Sequence, residues 1–195
     1  MVKTRLIVAT RNAHKVEEIR SILHEDDVCD LSVVENPPVV EETGVTFLEN
    51  ATLKAVAISK ITEGLVLSDD SGLEVDALGG APGVYSSRYA GEEGNDALNN
   101  EKLLRELEGV SPRTARFRCV MVLARRGEVL ADFSGSVEGE ILREPFGAGG
   151  FGYDPLFCPE GYHESFAELG EEVKNSLSHR ANALEQVAKW LSENR

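Results

Sequence analysis

The sequence predicts one domain of the α/β class, and three observations support this fold. A chain of 195 residues with 42% hydrophobic residues can bury one sizeable core. Residues 6–9 form an apolar run typical of a buried strand, and residues 13–23 repeat apolar side chains with a helical period. Residues 115–123 and 129–137 alternate around a polar link at 125–128, which indicates a β-hairpin.

The charge balance limits the classes of partner. Twenty basic residues against 34 acidic ones give a formal net charge of −14, which disfavours binding to nucleic acid. An acidic protein binds a polyanion only through a local basic cluster, usually with the help of a metal ion. We therefore expect no nucleic-acid partner.

Cysteine usage and the first residues indicate the cellular compartment. Cys29, Cys119 and Cys158 are far apart and form no CxxC pair, so neither a disulfide framework nor a zinc site is expected. Residues 1–5 precede only a short apolar run, too short for a signal peptide or a membrane span. We expect a cytoplasmic protein with reduced cysteines and no membrane contact.

The turn between the first strand and the first helix is a candidate anion site. Asn12 is placed to cap the helix, and Lys15 falls in its first turn, where a cation opposes the helix dipole. A helix N-terminus that follows a strand binds anions readily, and a Lys strengthens it. The alternative is a solvated surface Lys. No GxGxxG or GxxxxGK[ST] motif is present, so neither a dinucleotide fingerprint nor a P-loop is predicted.

A second helix carries a cation on its apolar side. Residues 31–34 predict a strand, and the acidic pair Glu41 and Glu42 follows it. TFLE at 46–49 is a capping box that begins the helix. Lys54 falls within the apolar arc of this helix and therefore needs a carboxylate or an anionic ligand. The alternative is a Lys that extends along the edge of the apolar stripe to water.

Two adjacent carboxylates follow another apolar run at residues 65–67. SDDSGL at 68–73 is interpreted as a turn before a second alternating segment at 73–77. Neighbouring strand side chains point to opposite faces, so only one of Asp69 and Asp70 is expected to enter a given cleft. The alternative is a polar turn without a functional role, in which Asp, Ser and Gly serve only the local backbone conformation.

A glycine-rich segment is a candidate for binding a flat ring. GAGGFGYDP occupies residues 147–155, and its glycines allow close backbone approach to a ligand. Phe151 and Tyr153 could offer a stacking face, and Pro155 holds Asp154 in an extended conformation. The alternative is a glycine-rich hairpin with core aromatics.

KNSLSHR at 174–180 supplies further cations. Lys174 lies before the last helix, and His179 and Arg180 fall at its N-terminus, where cations are unfavourable unless an anion is present. The alternative is a fortuitous basic turn.

The acidic residues complete a pattern with these cations. Glu41, Glu42, Asp69 and Asp70 could bind a hard divalent cation, which prefers oxygen ligands and bridging phosphates. Cations at helix starts, acidic metal ligands and aromatic rings together predict metal-assisted chemistry on a nucleoside polyphosphate.

Taken together, these motifs resemble the inosine triphosphate pyrophosphatase family, the pyrophosphatases of non-standard purine nucleoside triphosphates. The resemblance spans nearly the whole chain. It is carried by TxNxxK at 10–15, EETG at 41–44, ENA at 49–51, SDDSGL at 68–73, GGAPGVYS at 79–86, GGFGYDP at 149–155 and SHR at 178–180. Arg11 stands where the family often has Gly or Ser, and Ala148 where Thr is frequent. Neither change removes a group that the chemistry needs.

The resemblance implies a mixed α/β fold with a long twisted central sheet flanked by helices, two lobes with an active-site cleft between them, and a homodimer. It also implies a hydrolase acting on acid anhydrides, which converts ITP, dITP and XTP to monophosphate and pyrophosphate with Mg²⁺ and so sanitises the nucleotide pool. Two alternatives remain: a nucleotide-binding regulatory module without turnover, and a pyrophosphatase of broader nucleotide specificity.

The resemblance also implies roles for single residues, carried over by position. Triphosphate binding falls to Thr10, Arg11, Asn12, Ala13, His14, Lys15 and Ser71. Base and phosphate binding falls to Phe151, Gly152, Tyr153, Asp154, Lys174, His179 and Arg180. Asp70 is the expected proton acceptor for water and a metal ligand, and Glu42 is favoured over Glu41 as the second metal ligand. Lys54 is expected to help neutralise the charge that develops on the phosphates.

Overall fold

A computed structural model describes residues 5–24 and 26–194. Residues 1–4, on which part of the expectation about a signal peptide rests, lie outside the described residues. The strands are β1 (Arg5–Val8), β2 (Asp27–Cys29), β3 (Leu65–Val75), β4 (Thr114–Arg125), β5 (Glu128–Ile141) and β6 (Phe157–Pro159). The α-helices are α1 (Ala13–Ile22), α2 (Phe47–Ser59), α3 (Asp96–Glu106), α4 (Phe166–Leu177) and α5 (His179–Glu193). Short 3₁₀ helices span Leu31–Val33, Asp76–Leu78 and Gly83–Arg88.

The strands form one six-stranded sheet in the order β2-β1-β3-β4-β5-β6. Strand β1 pairs in parallel with β2 and β3, whereas β5 and β6 pair antiparallel. The sheet is therefore mixed, and the predicted α/β class is confirmed. The hairpin between β4 and β5 is also confirmed, because Arg126 and Gly127 have positive φ angles of 53° and 84°, as tight two-residue turns require.

The chain divides into two compact units, each with its own core. The first unit comprises the described residues of Met1–Asp70, Cys119–Gly135 and Arg180–Arg195. The second comprises Ser71–Arg118 and Ser136–His179. Apolar residues of β1, α1 and α5 pack in the core of the first unit, including Leu6, Ile19 and Leu184. The core of the second unit includes Leu103, Phe117, Phe157 and Phe166.

Both predicted helix caps are confirmed. The Asn12 side chain accepts a hydrogen bond from the Lys15 backbone N–H, which fixes the start of α1. The Thr46 side chain accepts from the Glu49 N–H while the Glu49 carboxylate accepts from the Thr46 N–H, which completes the capping box of α2. Among residues 5–24 and 26–194, no helix is both long and apolar enough to cross a membrane.

The strand predicted at residues 31–34 is wrong. Strand β2 lies earlier, at Asp27–Cys29, and Leu31–Val33 is a 3₁₀ turn. The Asp30 carboxylate accepts a hydrogen bond from the Ser32 N–H at 2.9 Å and caps this turn. A local side-chain-to-backbone bond thus overrides the strand preference of an apolar run.

The turn predicted at residues 68–73 is also wrong. Strand β3 runs without interruption through this segment, from Leu65 to Val75. Residues 66–70 are buried, so their polar groups must find partners in the fold. The Ser68 hydroxyl donates to the Ala51 carbonyl at 2.6 Å, which satisfies it without a turn. The two aspartates therefore lie inside a buried strand.

Candidate active site

Asp69 is the centre of a buried ionic cluster in the first unit. Its side chain is fully buried and accepts hydrogen bonds from the Lys15 ammonium and from Arg180 Nε, the latter at 2.9 Å. Burial alone would raise the pKa of Asp69, but Arg180 and Lys15 outweigh it and hold that pKa well below its usual range. At neutral pH, Asp69 is therefore a charged structural partner for two cations.

The Cys119 thiol also contacts this cluster. Its sulfur lies 3.1 Å from Asp69 Oδ2, and the residue is fully buried. Burial, reinforced by the neighbouring carboxylate, raises the pKa of the Cys119 thiol well above 9.0. This cysteine therefore stays a neutral thiol.

Arg180 connects Asp69 to Glu18. The guanidinium donates through Nη1 to the Glu18 carboxylate and through Nε to Asp69, and only 1% of the side chain is exposed. The anion expected beside this helix-start cation is thus supplied by the protein itself. Sequence reasoning missed Glu18, although its position three residues after Lys15 on α1 places both side chains on one helix face.

Asp70 belongs to a second cluster in the same unit. Lys54 Nζ lies 2.6 Å from Glu42 Oε1 and 3.2 Å from Asp70 Oδ1, and it also donates to the Asp69 carbonyl at 2.9 Å. The expectation that Lys54 meets a carboxylate is confirmed. Asp69 and Asp70, as neighbours in a strand, have different side-chain partners.

The charge of Asp70 is poorly compensated. Burial raises the pKa of Asp70, and the Lys54 and Lys15 ammonium groups only partly oppose this effect. Its Oδ2 atom is buried and has no hydrogen-bond partner among the described residues. In contrast, the pKa of Lys54 is raised, because Asp70 and Glu42 outweigh the opposing effect of burial.

The start of α2 positions Glu42. The Gly44 N–H donates to Asn50 Oδ1 at 2.8 Å, and a Cβ atom at Gly44 would lie 2.6 Å from Glu49 Cβ. Glycine is therefore needed for the close approach of this segment to the helix. Glu41 is exposed, whereas Glu42 is half-buried beside Lys54.

The predicted triphosphate residues 10–15 surround the N-terminus of α1. The Thr10 hydroxyl accepts from the Asn12 N–H at 3.2 Å, and the first turn of the helix contains no acidic residue. Arg11 donates to the Pro37 carbonyl at 2.9 Å. The side chains of residues 11–14 are exposed, Ala13 and His14 among them, and Lys15 is half-buried. Ser71 lies on β3 directly after Asp70 and belongs to the second unit.

In the second unit, Asp154 organises the glycine-rich loop. Asp154 Oδ2 accepts from the Phe151 N–H at 2.8 Å and from Lys174 Nζ at 2.6 Å. The Lys174 ammonium lies 4.4 Å from the centroid of the Phe151 ring, a cation–π contact. A Cβ atom at Gly150 would lie 2.1 Å from Asp154 Oδ2, so only glycine fits beside this carboxylate.

Three predictions about this region need correction or refinement. Lys174 precedes the last helix, α5, as expected, but it also lies in the last turn of α4, where the dipole favours a cation. Tyr153 is buried in the core of the second unit and its hydroxyl donates to the Ser86 carbonyl at 2.8 Å, so its ring offers no exposed stacking face. His179 is also buried, with its ring stacked on Phe117 at 4.9 Å. Phe151 is the half-buried aromatic residue of the predicted pair.

Comparison with known proteins decides the family. Residues 6–190 match the model of the Ham1 family. The chain belongs to the Ham1 family. A Bacillus licheniformis protein named dITP/XTP pyrophosphatase is 50% identical over 96% of this chain and 98% of the relative. A Bacillus subtilis protein of the same name is 46% identical over 98% of both chains.

Solved structures of Ham1 proteins also match the fold. The Staphylococcus aureus Ham1 protein has a TM-score of 0.88 at 40% identity, covering 98% of this chain and 100% of that one. A HAM1 protein from Coxiella burnetii has a TM-score of 0.88 at 41% identity, covering 97% and 99%. The family that the sequence motifs indicated is thereby confirmed.

The side chains of this Ham1 protein fit a magnesium ion. In the part of the chain that the structure describes, no group of three or more His, Cys, Asp or Glu side chains forms a metal cage. Mg²⁺, however, is usually held by one or two carboxylates together with substrate phosphates and water. Asp70 and Glu42 face one ammonium, so the set carries a formal net charge of −1, and Asp70 Oδ2 remains unpartnered. The donors are hard oxygens, as this ion prefers.

Proposed function

We propose that this chain is a nucleoside-triphosphate pyrophosphohydrolase that converts dITP, XTP and ITP to the monophosphate and pyrophosphate with Mg²⁺. The observation that carries the proposal is Asp70, a buried carboxylate with a raised pKa and one unpartnered oxygen beside Lys54 and Glu42. Relatives named dITP/XTP pyrophosphatase that match almost the full length support the substrate class.

In the proposed step, Asp70 accepts a proton from a water molecule in line with the leaving pyrophosphate. The water oxygen bonds to the α-phosphorus, the bond from that phosphorus to the bridging oxygen breaks, and pyrophosphate departs. A raised pKa suits this role, because a stronger base accepts a proton more readily. Asp69 is a poorer candidate, since two cations hold its charge.

Cations and backbone N–H groups of the first unit bind the triphosphate. The exposed N-terminus of α1 supplies N–H groups and a positive dipole, and Lys15 adds an ammonium whose side chain is 14% exposed. Lys15 has three donors, so it can keep Asp69 and still donate to a phosphate oxygen. Lys54 would stabilise the charge that develops on the leaving group.

Asp70 and Glu42 would hold Mg²⁺ together with phosphate oxygens. When bound, this ion would polarise the phosphate and offset its negative charge. Glu42 is preferred to Glu41 because Glu42 shares Lys54 with Asp70.

The glycine-rich loop of the second unit, residues 147–155, binds the base and selects it. Phe151 offers a ring face, and Lys174, 4.4 Å from that ring, is a candidate donor to the 6-oxo oxygen. Adenine would present an amino group to this donor, and two unpaired donors in a buried site are strongly unfavourable. This arrangement would favour 6-oxo purines over adenine. Guanine is also a 6-oxo purine, so slow release from dGTP requires in addition that the site exclude the 2-amino group.

Pyrophosphate release from dITP, XTP, ITP and dGTP, with Mg²⁺ and with a chelator, tests the proposal. We expect Mg²⁺-dependent release from the first three and much slower release from dGTP. Tight binding of dITP without release would instead favour a regulatory nucleotide-binding module. Equal release from all four would favour a pyrophosphatase of broad specificity.

The homodimer and the cytoplasmic location are part of the same proposal: the family resemblance implies the dimer, and the cysteine usage favours the cytoplasm. Light scattering of the purified chain should give twice the mass of 21.2 kDa. A monomer at working concentration would contradict the dimer and leave the chemistry unaffected.

A further inference from the structure

Helix α3 contacts the glycine-rich loop at residues 147–155 through one residue, Gly152. Asp96 Oδ2 accepts a hydrogen bond from the Gly152 N–H at 2.7 Å. Asn100 Nδ2 donates to the Gly152 carbonyl at 2.9 Å. Asp96 and Asn100 are four residues apart and therefore lie on the same face of α3. One helix face thus holds both polar backbone groups of a single residue, a pair of contacts that we call the α3 clamp.

The backbone at Gly152 determines the orientation of its neighbours. Gly152 has a φ angle of 63°, in the left-handed region that favours glycine. On one side the peptide joins Phe151, and the Phe151 N–H is itself held by Asp154 Oδ2 at 2.8 Å. Rotation of the backbone at Gly152 would therefore move both the Phe151 ring and the Asp154 carboxylate.

Asn100 contributes to the clamp at a cost to stability. Its Oδ1 atom is buried and has no hydrogen-bond partner in the described part of the chain. A buried acceptor without a partner is unfavourable, and such groups are rare in folded proteins. An apolar side chain of similar size would avoid this cost. What asparagine provides that an apolar side chain cannot is the Nδ2 donor to the Gly152 carbonyl.

We propose that Asp96 and Asn100 are positioning residues that determine base specificity. They fix Gly152 so that the Phe151 ring and the Asp154–Lys174 pair are already oriented for a purine base when the nucleotide arrives. This inference rests on the proposed function and assigns two residues to its specificity. The chemical step uses Asp70, Lys54 and Glu42, none of which belongs to the clamp.

The test uses four variants of the full chain. Asp96→Ala and Asn100→Leu each remove one contact, whereas Asp96→Asn keeps an oxygen that can accept from the Gly152 N–H. Glu101→Gln changes an exposed residue of the same helix and is the matched control. Thermal unfolding first establishes that each variant is folded. Steady-state rates are then measured on dITP and dATP.

We expect a change in substrate binding rather than in turnover. Asp96→Ala and Asn100→Leu should raise KM for dITP by about tenfold, with kcat within about twofold, because the net loss of one hydrogen bond weakens binding by up to about tenfold. The preference for dITP over dATP should fall by a similar factor, because the 6-oxo donor is no longer held in place. Asp96→Asn should recover most of the affinity, and Glu101→Gln should match the wild type. Unchanged KM and preference in the folded variants would overturn the proposal, as would a fall in kcat alone.

Calorimetry of dITP binding separates failure of this inference from failure of the proposed function. It is done without Mg²⁺, so that turnover is not required. If the wild type binds dITP but never hydrolyses it, the proposed function fails, and the ratio of Kd between Asp96→Ala and wild type still decides the clamp. A tenfold weaker Kd supports the clamp, and an equal Kd overturns it. A wild type that neither binds dITP without Mg²⁺ nor releases pyrophosphate from it with Mg²⁺ overturns both.

Discussion

Asp69 and Asp70 are neighbours on one strand, yet they lie in opposite electrostatic settings. Asp69 is matched by Lys15 and Arg180, and its pKa is held well below 3.8. Asp70 shares a single ammonium with Glu42, keeps one buried oxygen unpartnered, and its pKa is raised. The difference teaches that a strand can place a structural carboxylate and a reactive one side by side, because alternate residues face different neighbours.

The largest expected effect is on turnover at Asp70. Asp70→Asn removes the proton acceptor while keeping nearly the same shape, so pyrophosphate release from dITP should fall by about 10²- to 10⁴-fold. The rate is measured at saturating dITP and Mg²⁺. Turnover near the wild-type level would assign the proton acceptor to another group.

Removal of the Asp69 charge should chiefly affect stability. Asp69→Asn leaves Lys15 and Arg180 without their shared carboxylate, and breaking a buried ion pair typically costs about 3–5 kcal/mol. Urea unfolding at pH 7 measures the loss. An unfolding free energy equal to that of the wild type would mean that Asp69 is not the electrostatic support of this cluster.

The same variant has a defined dependence on pH. The pKa of Asp69 is depressed in the folded state. Its contribution to the free energy of unfolding is therefore present above the ordinary pKa of 3.8 and is lost as pH falls through the folded-state pKa. The gap in unfolding free energy between wild type and Asp69→Asn should therefore be complete at pH 7 and narrow below about pH 4. A gap that grows on acidification would contradict the sign of the shift.

Substitution of Glu41 and of Glu42 tests which glutamate binds Mg²⁺ together with Asp70. Glu42→Gln should raise the Mg²⁺ concentration needed for half-maximal rate by about 10- to 100-fold, as loss of groups around metal sites commonly does. Glu41→Gln is the matched control and should leave this Mg²⁺ concentration unchanged, because Glu41 is exposed. Equal effects of the two substitutions would contradict the choice of Glu42 over Glu41 as the metal ligand.

A smaller effect concerns the thiol beside Asp69. Cys119 is buried and its pKa is raised well above 9.0, so it should resist alkylation in the native protein at pH 8. The partly exposed Cys29 should react first, and Cys119 should react only on unfolding. Mass spectrometry after brief iodoacetamide treatment distinguishes the two. Native labelling of Cys119 would show that the Asp69 cluster opens to solvent.

Local signals in the sequence predicted the helix starts well. The Asn12 cap and the Thr46–Glu49 capping box depend on residues within one helical turn, so the pattern contains all the participants. The pairing of Lys54 with a carboxylate was predictable for a different reason, since a buried ammonium requires a counter-charge.

Interactions between distant residues could not be predicted in this way. SDDSGL has the composition of a turn, but the Ser68 hydroxyl finds its acceptors on distant residues, the carbonyls of Ala51 and Val122, seventeen and 54 residues away. Glu18 and Arg180 are 162 residues apart, and Asp96 meets Gly152 across 56 residues. Helical spacing limits which residues can share a face, but the partner on another element is set by the fold.

The most direct test of the contrast between Asp69 and Asp70 is the stability of Asp70→Asn, measured by urea unfolding at pH 7. The raised pKa of Asp70 means that folding disfavours its charged form, so a neutral amide should leave the protein as stable as the wild type or more stable. Lys54 would keep Glu42 and the Asp69 carbonyl as partners. A loss as large as that expected for Asp69→Asn would contradict this account, because Asp70 would then be a structural carboxylate like its neighbour.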